Sequence, residues 1–138
     1  MKKLAMVFGM IILISCEKEN AAPTNPVDDD FDPSTSTLLK EGTFENVVHK
    51  VSGIASLYDN SVKKVVVLDP FMTENGPDLK VYLSVDENAS SYIKLGELKS
   101  TTGKQSYEVP DGTDVSPHMY VHIWCEAFTV NFGQAKIE

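Results

Sequence analysis

With 138 residues, 20 acidic against 12 basic side chains and no arginine, the chain has a net charge of −8 and is long enough for one domain with a modest core. The balance argues against nucleic acid as a partner, because a polyanion is repelled and bidentate phosphate contacts need arginine. Anionic lipid is disfavoured on the same ground, so membrane attachment has to come from acyl chains.

Lys2 and Lys3 precede an apolar run, residues 4–14, of only 11 residues. A membrane-crossing helix needs about 20, so the run reads as the core of a secretory signal. It ends in Leu13-Ile14-Ser15-Cys16, the pattern of a bacterial lipoprotein signal cleaved ahead of a lipid-modified cysteine. Residues 1–15 are then the signal peptide and Cys16 the first mature residue, its sulfur a thioether. The expected location is the cell envelope, with the chain lipid-anchored at the outer membrane and facing the periplasm or the surface. Glu17-Lys18-Glu19 loosely resembles acidic tags of surface lipoproteins. Without Lys2 and Lys3, 10 basic residues face 20 acidic ones, a mature charge of about −10.

Residues 16–37 read as the lipidated N-terminus and a flexible acidic tether. Their Pro, Asn, Asp, Ser and Thr content leaves little apolar surface to offset chain entropy. Asp28, Asp30 and Asp32 imitate the opening of a calcium loop, but Pro33 stands where a glycine turn is required and Leu39 where a bidentate Glu belongs.

Residues 38–138 read as an all-β domain, a single antiparallel sandwich or barrel-like fold of roughly 7–9 short strands. Strands are expected at 46–57, 63–68, 79–85, 92–95, 105–109, 119–125 and 128–132, with a further one at 135–137. Asp59-Asn60, Asn75-Gly76-Pro77, Gly103 and Asp111-Gly112 supply turn chemistry between them.

In 119–125, strand alternation puts Met119, Val121, Ile123 and Cys125 on one face and Tyr120, His122 and Trp124 on the other, with His118. His118 and His122 lie about 13 Å apart on a strand, too far to share a zinc ion. No His or Met follows Cys125, so the ligand loop of a blue-copper site is missing. With Cys16 acylated, Cys125 is left without a cysteine partner outside the cytoplasm: a buried hydrophobe, a reactive thiol, a cofactor ligand or half of an intermolecular bond. A Cys/His pair would need His49, His118 or His122, and the sequence does not show which imidazole approaches, so no complete catalytic constellation is present.

Gly76-Pro77-Asp78-Leu79-Lys80-Val81-Tyr82-Leu83-Ser84, Leu95-Gly96-Glu97-Leu98-Lys99, Gly103-Lys104-Gln105-Ser106-Tyr107-Glu108-Val109-Pro110 and Ile123-Trp124-Cys125-Glu126-Ala127-Phe128 occur in this order. Together with Gly42-Thr43-Phe44 and His49-Lys50-Val51-Ser52-Gly53, they make residues 42–138 resemble the DM-thirteen, or Skeletor-type, electron-transfer domain. The resemblance implies a small extracytoplasmic β domain, sometimes joined to other redox modules. Its near-universal cysteine is thought to serve as a bare thiol or as a ligand to a prosthetic group such as haem. Cys125 matches that cysteine. If haem binds, the resemblance implies Cys125 as proximal ligand, with Met119, His122 or, from another strand, His49 as the sixth.

Three readings stay open. One is a lipid-anchored redox module using Cys125 with an unidentified partner protein. Another is a surface ligand-binding or adhesion module, presenting loops 71–77 and 86–91, in which Cys125 only packs. A structural envelope component is a third.

Overall fold

The computed structural model describes residues 20–138; the signal peptide expected at 1–15 and the expected lipidation at Cys16 lie outside the described residues. Nine strands form one curled sheet: β1 (Val27–Asp28), β2 (Thr37–Asn46), β3 (Val51–Asp59), β4 (Lys64–Thr73), β5 (Leu79–Ser84), β6 (Tyr92–Glu97), β7 (Gly103–Glu108), β8 (Tyr120–Cys125) and β9 (Val130–Lys136). Their spatial order is β1-β7-β4-β3-β2-β9-β8-β5-β6. All pairings are antiparallel except β1 with β7. The all-β, barrel-like expectation holds.

β2 makes the curl. Its first part, to Thr43, pairs with β3, and Phe44 to Asn46 pair with β9. One long strand thus belongs to both halves of the sheet, which close over a shared core. Leu57, Val66 and Leu68 from one half meet Val81, Leu83, Val121 and Ile123 from the other. Each such side chain contributes about 1.5–3 kcal/mol by leaving water.

Three strand boundaries differ from expectation for identifiable reasons. The run 46–57 breaks because the amides of Val47, Val48 and His49 turn onto the Phe132 carbonyl, and Asn46 Oδ1 takes the Val51 N–H at 2.9 Å. The expected strands at 128–132 and 135–137 merge into one, β9 (Val130–Lys136), with residues 128 and 129 in the turn before it. Gly133, within β9, is a point of close approach, where a Cβ would lie 2.6 Å from the Val51 side chain. β4 runs past Asp69-Pro70 because a bulge sets these two residues opposite residue 54 and pairing resumes at Phe71 with Gly53.

The larger difference is at the N-terminus. Residues 20–36, read from composition as a free tether, lie along the domain. Asn20 O accepts the Asp78 N–H at 2.8 Å, Ala21 bridges to Pro77, and Pro23 O accepts the Thr101 N–H at 2.9 Å. β1 then pairs with β7, and Phe31 meets Tyr58 with ring centroids 5.3 Å apart. Asp29 turns to Lys99, and Asp32 caps the short 3-10 turn at Pro33–Thr35. Backbone pairing, which composition does not register, holds this polar segment down. Among the described residues no helix is long and apolar enough to cross a membrane.

Candidate functional site

Cys125 ends β8, opposite Leu79 of β5 and Val130 of β9. Alternation sends it inward with Val121 and Ile123, as expected, and all three are fully buried. Its Sγ–H donates to the Pro77 carbonyl at 3.0 Å. Cys125 is the free cysteine among the described residues.

The loop above it, Asn75-Gly76-Pro77-Asp78, is held from both sides. Inside, Gly76 lies against the Phe132 ring, where a Cβ would come within 2.6 Å of the ring edge. Asp78 O accepts the Glu126 N–H at 3.1 Å, and the Asp78 carboxylate pairs with the buried Lys80 ammonium at 2.6 Å. That bond, with a second from Glu97, raises the Lys80 pKa. Outside, residues 20–22 lie across the loop. Asn75 clamps Ala22 by both ends of its amide, accepting the Ala22 N–H at 3.0 Å and donating to the Ala22 carbonyl at 2.9 Å.

The other candidates do not converge on the sulfur. Met119 precedes β8 by one residue and lies six residues, about 20 Å of strand, from Cys125. Its Sδ is 3.5 Å from Lys40 Nζ, which also donates to the carbonyls of Val115, Ser116 and His118. His122 is on the opposite face of β8. Its Nε2 lies 2.6 Å from Ser84 Oγ and 3.3 Å from the Asp86 carbonyl. The residues after β5 cover it completely, and burial lowers its pKa from 6.5, against smaller opposing effects of Asp86 and Asn131. His49, in the β2–β3 connection, stacks on Phe132 at 3.9 Å and bonds Glu74 at 2.8 Å. It is near the Cys125 loop, with the Phe132 ring between.

A haem therefore does not fit these residues as they stand. The Cys125 sulfur is enclosed in close-packed core and its hydrogen is given to Pro77, whereas a bound macrocycle needs a cleft of about 300 Å³ or more beside its ligand. Met119 and His122, moreover, are turned to Lys40 and Ser84.

Sequence reasoning missed an aromatic column on the outer face. Tyr82 is stacked between Tyr92 (centroids 4.2 Å, planes 8° apart) and Trp124 (5.6 Å, 15°). The Tyr82 hydroxyl donates to Glu126 at 2.6 Å, and Lys94 Nζ reaches the same carboxylate oxygen at 2.5 Å. Burial, then the Glu126 carboxylate, drives the Tyr82 phenol above its usual range, while Lys94 and Tyr82 lower the Glu126 pKa. The sequence signal is the outward position of Trp124; joining it to Tyr82 and Tyr92 requires the β8-β5-β6 register.

Comparison with curated proteins and with solved structures gave no significant match. A family model, Electron transfer DM13, matches residues 43–137, a span that holds Cys125, the Pro77 loop and the aromatic column and leaves out residues 20–36. With most of its length so matched, from the end of β2 through β9, the chain belongs to the DM13 electron-transfer family.

Proposed function

We propose that this chain is a lipid-anchored envelope module that transfers electrons through the bare thiol of Cys125. The observation that carries this reading is that the free cysteine among the described residues lies inside the family-matched span, at the end of β8, where its sulfur meets the Pro77 loop at the edge of the strands. A lone thiol exchanges electrons in pairs. The Cys125 thiolate attacks a partner disulfide, a mixed disulfide forms, and the displaced partner sulfur leaves as a thiol. A dithiol of a second partner then attacks the Cys125 sulfur and releases the first partner fully reduced; its other thiol closes a disulfide and frees the Cys125 thiol, so that one electron pair passes from dithiol to disulfide. The anchor is Cys16, the location the outer membrane, and the partner a dithiol or disulfide protein in the same compartment.

The test is native incubation with oxidised glutathione, followed by intact-mass analysis. We expect one adduct per chain, absent in Cys125→Ser. A folded chain that takes no adduct at Cys125 overturns the reading. Anchoring is checked separately: Cys16→Ser should move the expressed chain from the membrane to the soluble fraction.

A second reading, a surface-binding module with a structural cysteine, draws support from the open cleft lined by Tyr82, Tyr92, Trp124, Glu126 and Thr129. Thr129 holds φ +54°, an unusual conformation for a β-branched residue and one found at binding sites. This reading requires Cys125 to take no glutathione adduct even when its covering loop is loosened.

A further inference from the structure

We infer that residues 20–23 form a strap that gates the Cys125 thiol. The strap touches the sulfur only through the loop. Asn20 bonds Asp78, Ala21 bridges to Pro77, and Ala22 is gripped by Asn75, while Pro77 holds the thiol hydrogen. Beyond the loop the same strand of chain is pinned by Thr101 to Pro23 and by Ser100 Oγ to Asn25 O at 2.7 Å. Ala22 also packs on the edge of the core that contains Cys125.

The strap and the domain are different kinds of structure. The family match begins at residue 43, so the strap is an addition on the N-terminal side of the matched domain. Its residues 20, 21 and 23 are exposed, and it is held by a few backbone bonds and one amide clamp, the kind of segment that opens locally without unfolding the rest. The loop beneath has Gly76 at its centre and Asp78 at φ +58°, and Pro77 has no N–H to bind inward. Lifting residues 20–23 removes the outer set of bonds and leaves the loop on Phe132, Glu126, Lys80 and the Cys125 thiol. The route to the sulfur then lies past Pro77. The purpose of such a gate, keeping a redox thiol unreactive until it is needed, rests on the function proposed above; the opening itself does not.

The experiment is native-state labelling of Cys125 by a small aromatic disulfide reagent, followed in increasing urea on the full chain. In the wild type, labelling at low urea should be slow and nearly independent of urea, the mark of a local opening. Asn75→Ala, which removes the clamp from the loop side, and Ala22→Asp, which sets a charge against the core edge from the strap side, should each speed it about tenfold or more. Thr35→Ala, at the far end of the segment, should leave it unchanged. Labelling that follows global unfolding at all urea concentrations, or that neither variant accelerates, overturns the gate. Strap-dependent labelling without any glutathione adduct keeps the gate and removes the redox role.

Discussion

Cys125 and His122 sit three residues apart on β8 and show how the same strand buries two polar groups in two ways. Cys125 gives its hydrogen to a backbone carbonyl within the core. A serine there has a shorter reach and a larger desolvation penalty, so Cys125→Ser should lower unfolding free energy by about 1–3 kcal/mol in urea titration. His122 is buried on the outer side, and its depressed pKa makes it a liability in acid. Above pH 6.5 it is neutral folded and unfolded, and no stability depends on it. As pH falls below 6.5, the unfolded chain takes up a proton that the buried imidazole refuses, so stability declines until the folded pKa is passed. Urea denaturation between pH 8 and pH 5 should show this decline, and His122→Gln should flatten it. The inward direction of Cys125 was legible in the period of two along 119–125. The burial of His122 was not, because it comes from the residues after β5 folding over an outer face.

Among the elements, β1 is the most informative. It is two residues long, with no apolar pattern, and exists because β7 offers an unpaired edge and a glycine. Gly103 has φ +101°, and a Cβ there would lie 2.1 Å from the Val27 carbonyl oxygen. Gly103→Ala should therefore push β1 off, and hydrogen exchange at the Val27 and Asp29 amides, which bond Thr102 and Lys104, should rise to the rate of open chain. The core strands β5 and β8 were legible, being bounded by turn residues and carrying β-branched and aromatic side chains, whereas β7, with only Tyr107 of that kind, was legible from residue 105 on because Gly103 reads as a turn. β2 was not, since most of its residues face solvent and its apolar alternation is weak. It is a strand because β3 and β9 both need a partner.

At the scale of the whole molecule, the docked segment changes where the domain stands. If the described structure starts at Asn20 and the lipid is on Cys16, four links separate the bilayer from the strap, at most about 14 Å when extended. A free twenty-residue tether would allow a few tens of Å. Trp124, the single tryptophan, lies beside Glu126, whose amide bonds Asp78 under the strap. In vesicles with a fluorescent headgroup acceptor, the lipidated chain should show strong energy transfer from Trp124, lost in Cys16→Ser. The closed packing around Cys125 gives one more expectation: added haem should produce no Soret band that disappears in Cys125→Ser. A band that does disappear would mean that the core around the loop opens to admit a macrocycle.

The all-β class, the approximate strand count, the inward face of Cys125 and the family resemblance came from local information. Alternation, turn residues and ordered motifs are properties of neighbours in the chain, so they survive without coordinates. The closure of the sheet through β2, the aromatic column, the covered His122 and the strap over the Pro77 loop were decided only by tertiary structure. Each depends on which distant segments find one another, the Asn20 carbonyl with the Asp78 N–H or the Tyr82 ring with the Trp124 ring, and a contact between segments tens of residues apart leaves no period in the sequence.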